Sequence, residues 1–290
     1  AARQTELLAL AGRYLAGGGT GLFVLPPELN LVVARGEGSH VFDVAGREAA
    51  AAALQLERPR PVAQTPGFAQ GECPVQDAAA QIAAPLLLSG LAPRQGAPLR
   101  LLDACAAPGG KTAHLLEAAG SVAIEVTALE VEAARSRRYE ETVARLRPAR
   151  KGLVADASRP SDWWDGQAFD AIVLDVPCTA SGIVRRHPDV RWLRRESDIE
   201  QLALQQAMLL AALWPLVRPG GRLLYCTCSV FLEEGAHQIG AFLEHNTDGR
   251  LLPSPGHLLP QSGVNARGVP DNALGDHDGF FYALLEKLPR

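Results

Sequence analysis

The amino-acid sequence predicts an α/β fold built around a doubly wound, mostly parallel β-sheet. From Val75 onward, short apolar segments rich in β-branched residues alternate with longer segments of helical periodicity. This alternation is typical of a parallel sheet covered by helices on both faces. The apolar segments lack polar alternation, which indicates strands buried on both sides. With 290 residues, 47% hydrophobic and 21% charged, the chain can form one large domain or two modest ones.

The first 60 residues differ in pattern and are predicted to form a small α+β segment of their own. A helical pattern covers residues 5–15. Two strand-like pieces follow at 31–34 and 40–44, and Gly36-Glu37-Gly38 between them predicts a β-hairpin.

Arg58-Pro59-Arg60-Pro61 marks a boundary, because closely spaced prolines are typical of stiff linkers. We therefore divide the chain into a segment at 1–60 and a domain at 61–290. Six strands are predicted at 99–104, 124–129, 152–155, 171–174, 222–226 and 279–285. Five helices are predicted at 77–88, 111–118, 132–146, 198–217 and 234–244. Pro219-Gly220-Gly221 is expected to end the fourth helix.

Composition excludes several classes of protein. The longest apolar runs, at 82–88 and 208–213, are far shorter than the roughly 18 to 20 residues of a membrane helix, and no basic-then-apolar leader opens the chain. We therefore expect a cytoplasmic protein without membrane association. The net charge of -4 gives no global signal for nucleic acid, so any such partner must be met by a local basic patch. Five cysteines in a chain of this size indicate free thiols rather than a disulfide framework.

A glycine-rich loop follows the first predicted strand and opens a helix: Cys105-Ala106-Ala107-Pro108-Gly109-Gly110-Lys111-Thr112. Small residues let a ligand approach the backbone, and the helix N-terminus offers free N–H groups, so a nucleotide-like ligand is expected. The loop is not a P-loop, because Cys105 stands where that motif needs glycine. A tight turn without a ligand is the alternative, but a Gly-Gly pair beside proline weakens a helix start unless close approach is needed.

Two acids follow the second and third predicted strands. Glu130 stands 20 residues after Gly110, the offset at which a carboxylate commonly holds the ribose hydroxyls of a nucleotide. Asp156 is placed to reach the adenine. Each acid alone is more often a helix cap or a solvated side chain. Ligands of doubly wound sheets bind beyond the carboxyl ends of the strands, so the set as a whole predicts a nucleotide site.

Two cysteines follow the fourth and fifth strands, in Asp175-Val176-Pro177-Cys178 and Cys226-Thr227-Cys228-Ser229. They are therefore predicted to converge on the same edge of the sheet. A lone buried cysteine is usually a small hydrophobic residue. A zinc site is disfavoured, and no metal is expected, because Cys-x-Cys with one further Cys and no nearby His does not match the usual ligand spacing. A Cys178–Cys228 disulfide is geometrically possible but disfavoured in a reducing compartment.

These motifs, together with Val75-Gln76-Asp77, resemble those of the RNA cytosine-C5 methyltransferases of the RsmB/Sun/NSUN group. The resemblance covers about residues 61–290, and the segment from Gly182 to Arg195 is most similar to the bacterial RsmB branch, which modifies 16S ribosomal RNA. It implies a Rossmann-like class I methyltransferase fold, with a mostly parallel seven-stranded sheet and an antiparallel last hairpin. It also implies S-adenosylmethionine as cofactor and ribosomal RNA as partner, and we expect a monomer.

The resemblance further implies a covalent mechanism. Because cytosine C5 is a poor nucleophile, a thiolate must first add at C6. Cys228, in the family's Thr-Cys motif, is expected to form this adduct, and Cys178, in the Pro-Cys motif, to help release the product. Asp175 is expected to hydrogen-bond or protonate the base edge. The methyl-donor site would be lined by Cys105, Ala106, Ala107, Pro108, Gly109, Gly110, Lys111, Glu130, Arg135, Asp156 and Asp175.

A local basic patch is the predicted RNA-binding surface, formed by Arg185, Arg186, His187, Arg191, Trp192, Arg194 and Arg195. Arginines suit contacts to phosphates, and Trp192 adds a stacking surface. The target base would have to leave its stack to meet Cys228.

The chain departs from the family pattern at its start. Relatives in the RsmB branch carry a helical NusB-like domain and a small α/β module before the catalytic domain, whereas residues 21–48 resemble the opening of class III pyridoxal-phosphate aminotransferases. An aminotransferase would need Lys111, Lys151 or Lys287 as its amine. The other alternative is a catalytically inactive RNA-binding scaffold with the same fold, against which the intact cysteine pair argues.

Overall fold

The computed structural model describes residues 41–44, 47–52, 61–65, 67–71, 74–77, 79–93, 96–146, 152–259, 263–264, 270–271 and 277–289. The helix predicted at 5–15 and the strand predicted at 31–34 lie outside these residues. Within the described part of the chain, no helix is long and apolar enough to cross a membrane.

The described residues form eleven strands and six α-helices. The strands are β1 (Val41–Val44), β2 (Arg47–Ala52), β3 (Leu99–Asp103), β4 (Ile124–Glu130), β5 (Leu153–Val154), β6 (Phe169–Asp175), β7 (Val217–Thr227), β8 (Gly249–Leu258), β9 (Gly263–Val264), β10 (Pro270–Asp271) and β11 (Phe280–Lys287). The helices are α1 (Ala83–Leu88), α2 (Gly110–Ala118), α3 (Ala133–Leu146), α4 (Val190–Leu193), α5 (Glu196–Leu213) and α6 (Ala236–His245).

Seven strands form one mixed sheet in the order β5-β4-β3-β6-β7-β11-β8. The first five strands in this order are parallel, and β11 runs antiparallel to both β7 and β8. The sheet therefore has the expected antiparallel last hairpin. The parallel strands end at one common edge, so the loops that follow β3, β4, β5, β6 and β7 are neighbours there.

The sheet is buried on both faces, as the apolar strands predict. Leu102, Ile172 and Tyr225 face one hydrophobic cluster, which includes residues of α5 and α6. Their sequence neighbours Leu101, Val173 and Leu224 face the opposite cluster, with residues of α1 and α2. Alternate side chains of a strand point to opposite faces, so each central strand supplies both cores.

The sequence prediction missed β8. Its sequence, Gly-Arg-Leu-Leu-Pro-Ser-Pro-Gly-His-Leu, contains two prolines, which normally argue against a strand. In the sheet β8 pairs with β11 and lies at the edge, where a missing N–H is tolerated.

The prediction that Pro219-Gly220-Gly221 ends a helix was wrong. Helix α5 already ends at Leu213, a 3-10 turn covers Trp214–Leu216, and the tripeptide lies inside β7. There the pairing with β6 jumps from Phe169↔Val217 to Ala171↔Arg222, and Gly220 has φ +70°. The tripeptide therefore forms an irregularity in a strand, a position where glycine is common.

The helix predicted at 77–88 is also shorter than expected. The chain forms a 3-10 turn at Ala79–Ile82 before α1 begins at Ala83. Apart from Asp77 and Gln81 these residues are apolar, and the pattern does not distinguish the two helix types.

The described amino-terminal residues include a hairpin in which β1 pairs antiparallel with β2, with Val41 opposite Ala52. The partner strand predicted at 31–34 lies outside the described residues. The alanine-rich sequence of β2 has little intrinsic strand preference, which is why it was not predicted as a strand. The division of the chain at residue 60 remains a prediction.

Candidate functional site

A cleft of about 1010 Å³ opens at the carboxyl edge of the parallel strands. One wall carries residues that follow β3, β4 and β5, and the opposite wall carries residues of α5. Six of the predicted donor-site residues line it: Cys105, Ala107, Glu130, Arg135, Asp156 and Asp175. Both predicted catalytic cysteines, Cys178 and Cys228, also line it. The strand order therefore brings together the residues that the sequence prediction had placed at one edge.

The glycine-rich loop forms the turn from β3 into α2. Gly109 caps the helix with φ +100°, and a side chain there would lie 3.2 Å from Tyr139 Cδ2. Glycine is favoured at this position because its backbone conformation is strained for other residues and a Cβ atom would be in tight contact with Tyr139. Ala106 packs beside Tyr139. Ala106, Pro108, Gly109, Gly110 and Lys111 are not among the residues that line the cleft.

Glu130 ends β4 and is nearly completely buried. Its Oε1 accepts a hydrogen bond from Glu132 N at 3.2 Å and lies 3.5 Å from Arg135 Nη1. Arg135 Nη2 also donates to Ala107 O at 3.3 Å, so the arginine links the two loops. Glu130 Oε2 is buried without a hydrogen-bond partner. A buried carboxylate oxygen in this state can accept a hydrogen bond from a ligand.

Asp156 follows β5 and is partly engaged by its own loop. Its Oδ1 accepts hydrogen bonds from Ser158 N at 2.9 Å and Ser158 Oγ at 2.7 Å. Its Oδ2 lies 3.5 Å from Arg159 Nε. Asp156 Oδ1 therefore stabilises the turn, and Asp156 Oδ2 faces the exposed guanidinium of Arg159.

Lys111 and Asp175 form an ion pair beside the cleft. Lys111 Nζ lies 2.6 Å from Asp175 Oδ2, and Cys226 Sγ lies 3.6 Å from Asp175 Oδ1. Burial acts to lower the pKa of Lys111, but the neighbouring Asp175 carboxylate and thiols outweigh it and raise that pKa above its ordinary value. Lys111 therefore stays an ammonium group and holds Asp175 in place.

Cys178 and Cys228 meet where β6 and β7 end. Their sulfur atoms are 3.4 Å apart, a hydrogen-bond contact without a disulfide. β6 and β7 pair in register with Asp175 opposite Cys226, which places the two thiols in adjacent loops. The hydrogen bond to Cys228, followed by burial, raises the pKa of Cys178 well above its ordinary value. Cys178 therefore keeps its proton at neutral pH.

Two other cysteines are close by but are poor nucleophiles. Burial, followed by the charge of Asp175, raises the pKa of Cys105 and of Cys226 far above the ordinary value. A thiol held in the protonated form is unreactive. Among the described residues, no group of three or more His, Cys, Asp or Glu side chains is arranged to hold a metal ion.

Sequence reasoning missed Asp103, the last residue of β3. Its side chain is buried, and Thr112 Oγ1 donates a hydrogen bond to Asp103 Oδ2 at 2.5 Å. Burial raises the pKa of Asp103 from 3.8 to about 6, although the Thr112 hydrogen bond opposes this change. An acidic residue in a mostly apolar strand, two residues before the glycine-rich loop, was the available signal.

Sequence reasoning also missed the wall of the cleft that α5 forms. The helix presents one face to the cleft, at the spacing of successive turns: Asp198, Gln201, Leu202, Gln205, Met208 and Leu209. The mixture of polar and apolar residues on this face reads as an ordinary helix surface in the sequence.

The predicted RNA-binding patch is exposed, but its members differ in how they are held. Arg186 Nε donates to Asp278 Oδ2 at 2.7 Å, and Arg185 Nη2 lies 3.5 Å from Asp278 Oδ1, although Asp278 is fully buried. Arg194 lines the cleft and donates to Thr179 O at 2.9 Å. Trp192 is 81% exposed, with Arg191 5.6 Å from its ring centre. His187 and Arg195 are exposed as well.

The aminotransferase alternative gains no support from the described lysines. Lys111 is ion-paired with Asp175, and Lys287 Nζ donates to Trp214 O at 2.9 Å at the far end of β11. Lys151 and most of residues 21–48 lie outside the described residues.

Comparison with known proteins gives a consistent family. The family model described as 16S rRNA methyltransferase RsmB/F matches residues 89–286. The ribosomal RNA small subunit methyltransferase B of Xanthomonas campestris is 47% identical over 237 residues, covering 81% of this chain and 52% of the relative. The protein of the same name from Vibrio cholerae is 45% identical over 240 residues, covering 81% and 51%. The chain thus spans about half the length of the curated relatives it matches.

Solved structures are similar over most of the chain. NSun6 from Pyrococcus horikoshii with SFG has a TM-score of 0.63 at 26% identity, covering 84% of this chain and 61% of that one. A methyltransferase homolog protein from Pyrococcus horikoshii has a TM-score of 0.63 at 27% identity, covering 82% and 76%. Together with the strand order, these likenesses confirm the predicted class I methyltransferase fold.

Proposed function

Because the chain belongs to the 16S rRNA methyltransferase RsmB/F family, we propose that it transfers a methyl group from S-adenosylmethionine to C5 of a cytosine in small-subunit ribosomal RNA. The observation that carries this proposal is the 3.4 Å separation of Cys178 Sγ and Cys228 Sγ at the wall of the cleft. Two adjacent thiols suit a reaction in which one sulfur bonds the base and the other assists its departure.

The residues of the cleft fit the methyl donor. The buried Glu130 Oε2 has no hydrogen-bond partner, and a ribose hydroxyl is a donor of the kind it lacks. Asp156 and the Cys105–Ala107 turn lie on the same wall and would hold the adenosine and amino-acid parts. When bound, S-adenosylmethionine supplies an electrophilic methyl group on a sulfonium.

Cys228 is the proposed nucleophile. Its sulfur adds to C6 of cytosine, and the C5=C6 electron pair becomes available for bond formation at C5. Its partner Cys178 keeps its proton and can donate a hydrogen bond to the Cys228 sulfur.

Asp175 is the proposed anchor for the base edge. Asp175 Oδ2 is paired with Lys111 Nζ at 2.6 Å, and the carboxylate is proposed to accept a hydrogen bond from the exocyclic amino group of the cytosine. Lys111 fixes the orientation of the carboxylate.

Cys178 is the proposed assistant in release. After methylation, a base such as solvent water must take the C5 proton, and the electron pair of that C–H bond restores the C5=C6 bond, which expels Cys228 as a thiolate. The Cys178 thiol lies against that sulfur and can hydrogen-bond to it as the carbon–sulfur bond breaks.

Ribosomal RNA is the proposed partner, and Arg191, Trp192, Arg194 and Arg195 are its proposed contacts beside the cleft. Arg185 and Arg186 are held by Asp278, so we assign them a share in positioning this surface as well as in phosphate contact.

A trapping experiment tests the proposal. The protein is mixed with S-adenosylmethionine and a 16S ribosomal RNA fragment that contains 5-fluorocytosine, whose fluorine cannot leave as the proton does. We expect a covalent protein–RNA complex that survives denaturing electrophoresis. Cys228→Ala should abolish it, and a complex that persists in this variant would contradict the assignment.

Two variants complete the design. Cys178→Ala should accumulate the complex even with unmodified RNA, because attack continues while release is slow. Cys226→Ser is the matched control, since this buried thiol lies two residues from Cys228, does not line the cleft, and a hydroxyl in its place keeps a donor for Asp175 Oδ1. Binding of the donor without adduct or methyl transfer in the unmodified chain would instead favour the inactive scaffold.

A further inference from the structure

A fully buried carboxylate lies beneath the two cysteine loops. Glu234 ends the 3-10 turn Leu232–Glu234, which follows β7, and its exposure is 0%. Burying a carboxylate is costly unless hydrogen bonds satisfy both of its oxygens. All the partners that satisfy Glu234 come from the loops that carry the cysteines or from α5, which packs beside them.

The first group of contacts reaches the Cys178 loop. Thr179 N donates to Glu234 Oε1 at 2.9 Å, and Thr179 Oγ1 donates to Glu234 Oε2 at 2.5 Å. Thr179 directly follows Cys178, so these two bonds fix the backbone that carries the Cys178 sulfur.

The second group reaches the Cys228 loop. Ser229 Oγ, in the residue after Cys228, donates to Glu234 Oε2 at 2.6 Å. The loops are also joined directly, because Gly182 N donates to Cys228 O at 2.9 Å and Ser181 Oγ lies 3.0 Å from Ser229 Oγ. One carboxylate oxygen, Oε2, thus contacts the residue next to each cysteine.

The third group involves Gln206 of α5, which is also fully buried. Gln206 Nε2 donates to Glu234 Oε1 at 3.0 Å and to Pro177 O at 2.9 Å, the residue before Cys178. Tyr225 OH donates to Gln206 Oε1 at 3.0 Å and contacts Glu234 O at 2.8 Å. The network therefore holds both sides of Cys178.

We propose that Glu234 is a positioning residue whose carboxylate clamps the two loops and sets the distance between Cys178 Sγ and Cys228 Sγ. It does not line the cleft and touches neither sulfur, so it acts through Thr179 and Ser229. The role of Glu234 in setting the sulfur–sulfur distance does not depend on the proposed function. Its effect on methyl transfer rests on that function.

The network distinguishes two substitutions. In Glu234→Gln, the amide oxygen can accept the bonds to Oε1, and the amide N–H groups can donate to Thr179 Oγ1 and Ser229 Oγ, because hydroxyls accept as well as donate. In Glu234→Ala, every one of these groups loses its partner. Gln should therefore preserve the clamp, and Ala should release it.

The first readout needs neither RNA nor methyl donor. Alkylation of Cys178 by iodoacetamide is followed against pH by peptide mass mapping. The Cys228 contact and burial hold the pKa of Cys178 high, so releasing the clamp should move its alkylation midpoint at least about one pH unit lower, a tenfold gain in thiolate below the midpoint. The charge of Glu234 also raises the pKa of Cys178, by less than the Cys228 contact and burial do. Glu234→Gln removes this charge but keeps the hydrogen bonds, so it should shift the midpoint by much less than Glu234→Ala does.

Two further variants separate positioning from general stability. Asp170→Ala removes a buried carboxylate at the far end of β6, where it holds Arg218 Nε and Arg100 N, and should lower the free energy of unfolding without changing the Cys178 profile. Ser229→Ala leaves the Glu234 carboxylate in place but removes its contact on the Cys228 side, together with the hydroxyl's contacts to Ser181 Oγ, Thr179 Oγ1 and Phe231 N. It should shift the profile in the same direction, which provides a test if Glu234→Ala does not fold.

The second readout is catalytic. Glu234→Ala should lower kcat for methyl transfer at least about tenfold with little change in the KM for RNA, and Glu234→Gln should restore kcat to within about threefold. An unchanged Cys178 profile in folded Glu234→Ala and Ser229→Ala would overturn the proposal, as would a folded Glu234→Gln that behaves like Ala. A shifted profile in a chain that never methylates RNA would support the clamp while contradicting the proposed function.

Discussion

Replacing Asp103 with asparagine removes a buried carboxyl group whose ionisation opposes folding. Burial in front of the glycine-rich loop raises the pKa of Asp103 from 3.8 to about 6. A raised pKa means that the folded state binds the proton more tightly than the unfolded state does. The protein therefore has no penalty at Asp103 below pH 3.8 and a full penalty above about pH 6.

The size of this penalty follows from the two pKa values. Each unit of pKa difference corresponds to about 1.4 kcal/mol, so the change from 3.8 to about 6 corresponds to about 3 kcal/mol. About 2 kcal/mol of this falls between pH 4.5 and the raised pKa, a range in which unfolding is readily measured. The free energy of unfolding of the wild type should decrease by that amount relative to Asp103→Asn as the pH rises through this range.

Urea unfolding provides the assay. Trp214 is buried between α5 and β7, so tryptophan fluorescence reports loss of the core. Both proteins are unfolded at several pH values from about 4.5 to 7.5, and the difference between their free energies of unfolding is plotted against pH. Thr112→Val, which removes the hydrogen bond to Asp103, should move the wild-type step to higher pH.

The difference between the two proteins isolates the titration of Asp103. All other titrating groups are shared by the two proteins, so their effects cancel in the difference. A difference that stays constant from about pH 4.5 to 7.5 would mean that Asp103 does not titrate in this range, and the account of its burial would be wrong.

Three further outcomes are expected. Glu130→Ala should weaken S-adenosylmethionine binding about 10- to 100-fold by calorimetry, because a hydrogen bond to a charged group contributes about 1.5–3 kcal/mol; unchanged affinity would remove Glu130 from the site. Trp192→Ala should weaken RNA binding about 5- to 100-fold by fluorescence anisotropy, since base stacking contributes about 1–3 kcal/mol, while donor affinity stays the same. Leu102→Ala should lower the free energy of unfolding by about 2–5 kcal/mol in urea, and a smaller loss would mean that the core closes around the gap.

The central strands could be predicted because burial on both faces leaves a strong mark in the sequence. β3, β4 and β6 were predicted to within about two residues of their observed ends. β5 is reduced to two exposed residues, Leu153 and Val154, at the edge of the sheet, where an apolar segment signals more strand than the structure forms. β8 could not be predicted because its two prolines are tolerated only in an edge strand. Whether a strand lies at the edge depends on the whole sheet and not on its own sequence.

The candidate site could be predicted in part for a similar reason. Loops that follow parallel strands must meet at one edge, so Cys105, Glu130, Asp156, Cys178 and Cys228 could be placed together without coordinates. The partners of these residues could not. Asp278 lies 92 residues from Arg186, and Glu234 lies 55 residues from Thr179, so neither contact has a local signal.

The face of α5 shows the same limit. Gln201 and Gln205 occupy helix positions typical of a solvated surface, and only the packing of α5 across the cleft gives them a ligand-facing place. Helical periodicity predicts which residues share a face, but it does not predict what that face meets.

The in-register pairing of β6 with β7 determines which changes in chain length this protein can tolerate. Inserting or deleting a single residue between Asp175 and Cys178, or between Cys226 and Cys228, would change the length of a connection only a few residues long and move one sulfur relative to the other, because Asp175 and Cys226 stay paired. The connection between β6 and β7 also contains surface turns, and a change of length in those turns does not alter either short spacer. Insertions and deletions among natural homologues should therefore concentrate in this connection. The two short spacers, 175–178 and 226–228, should keep their length.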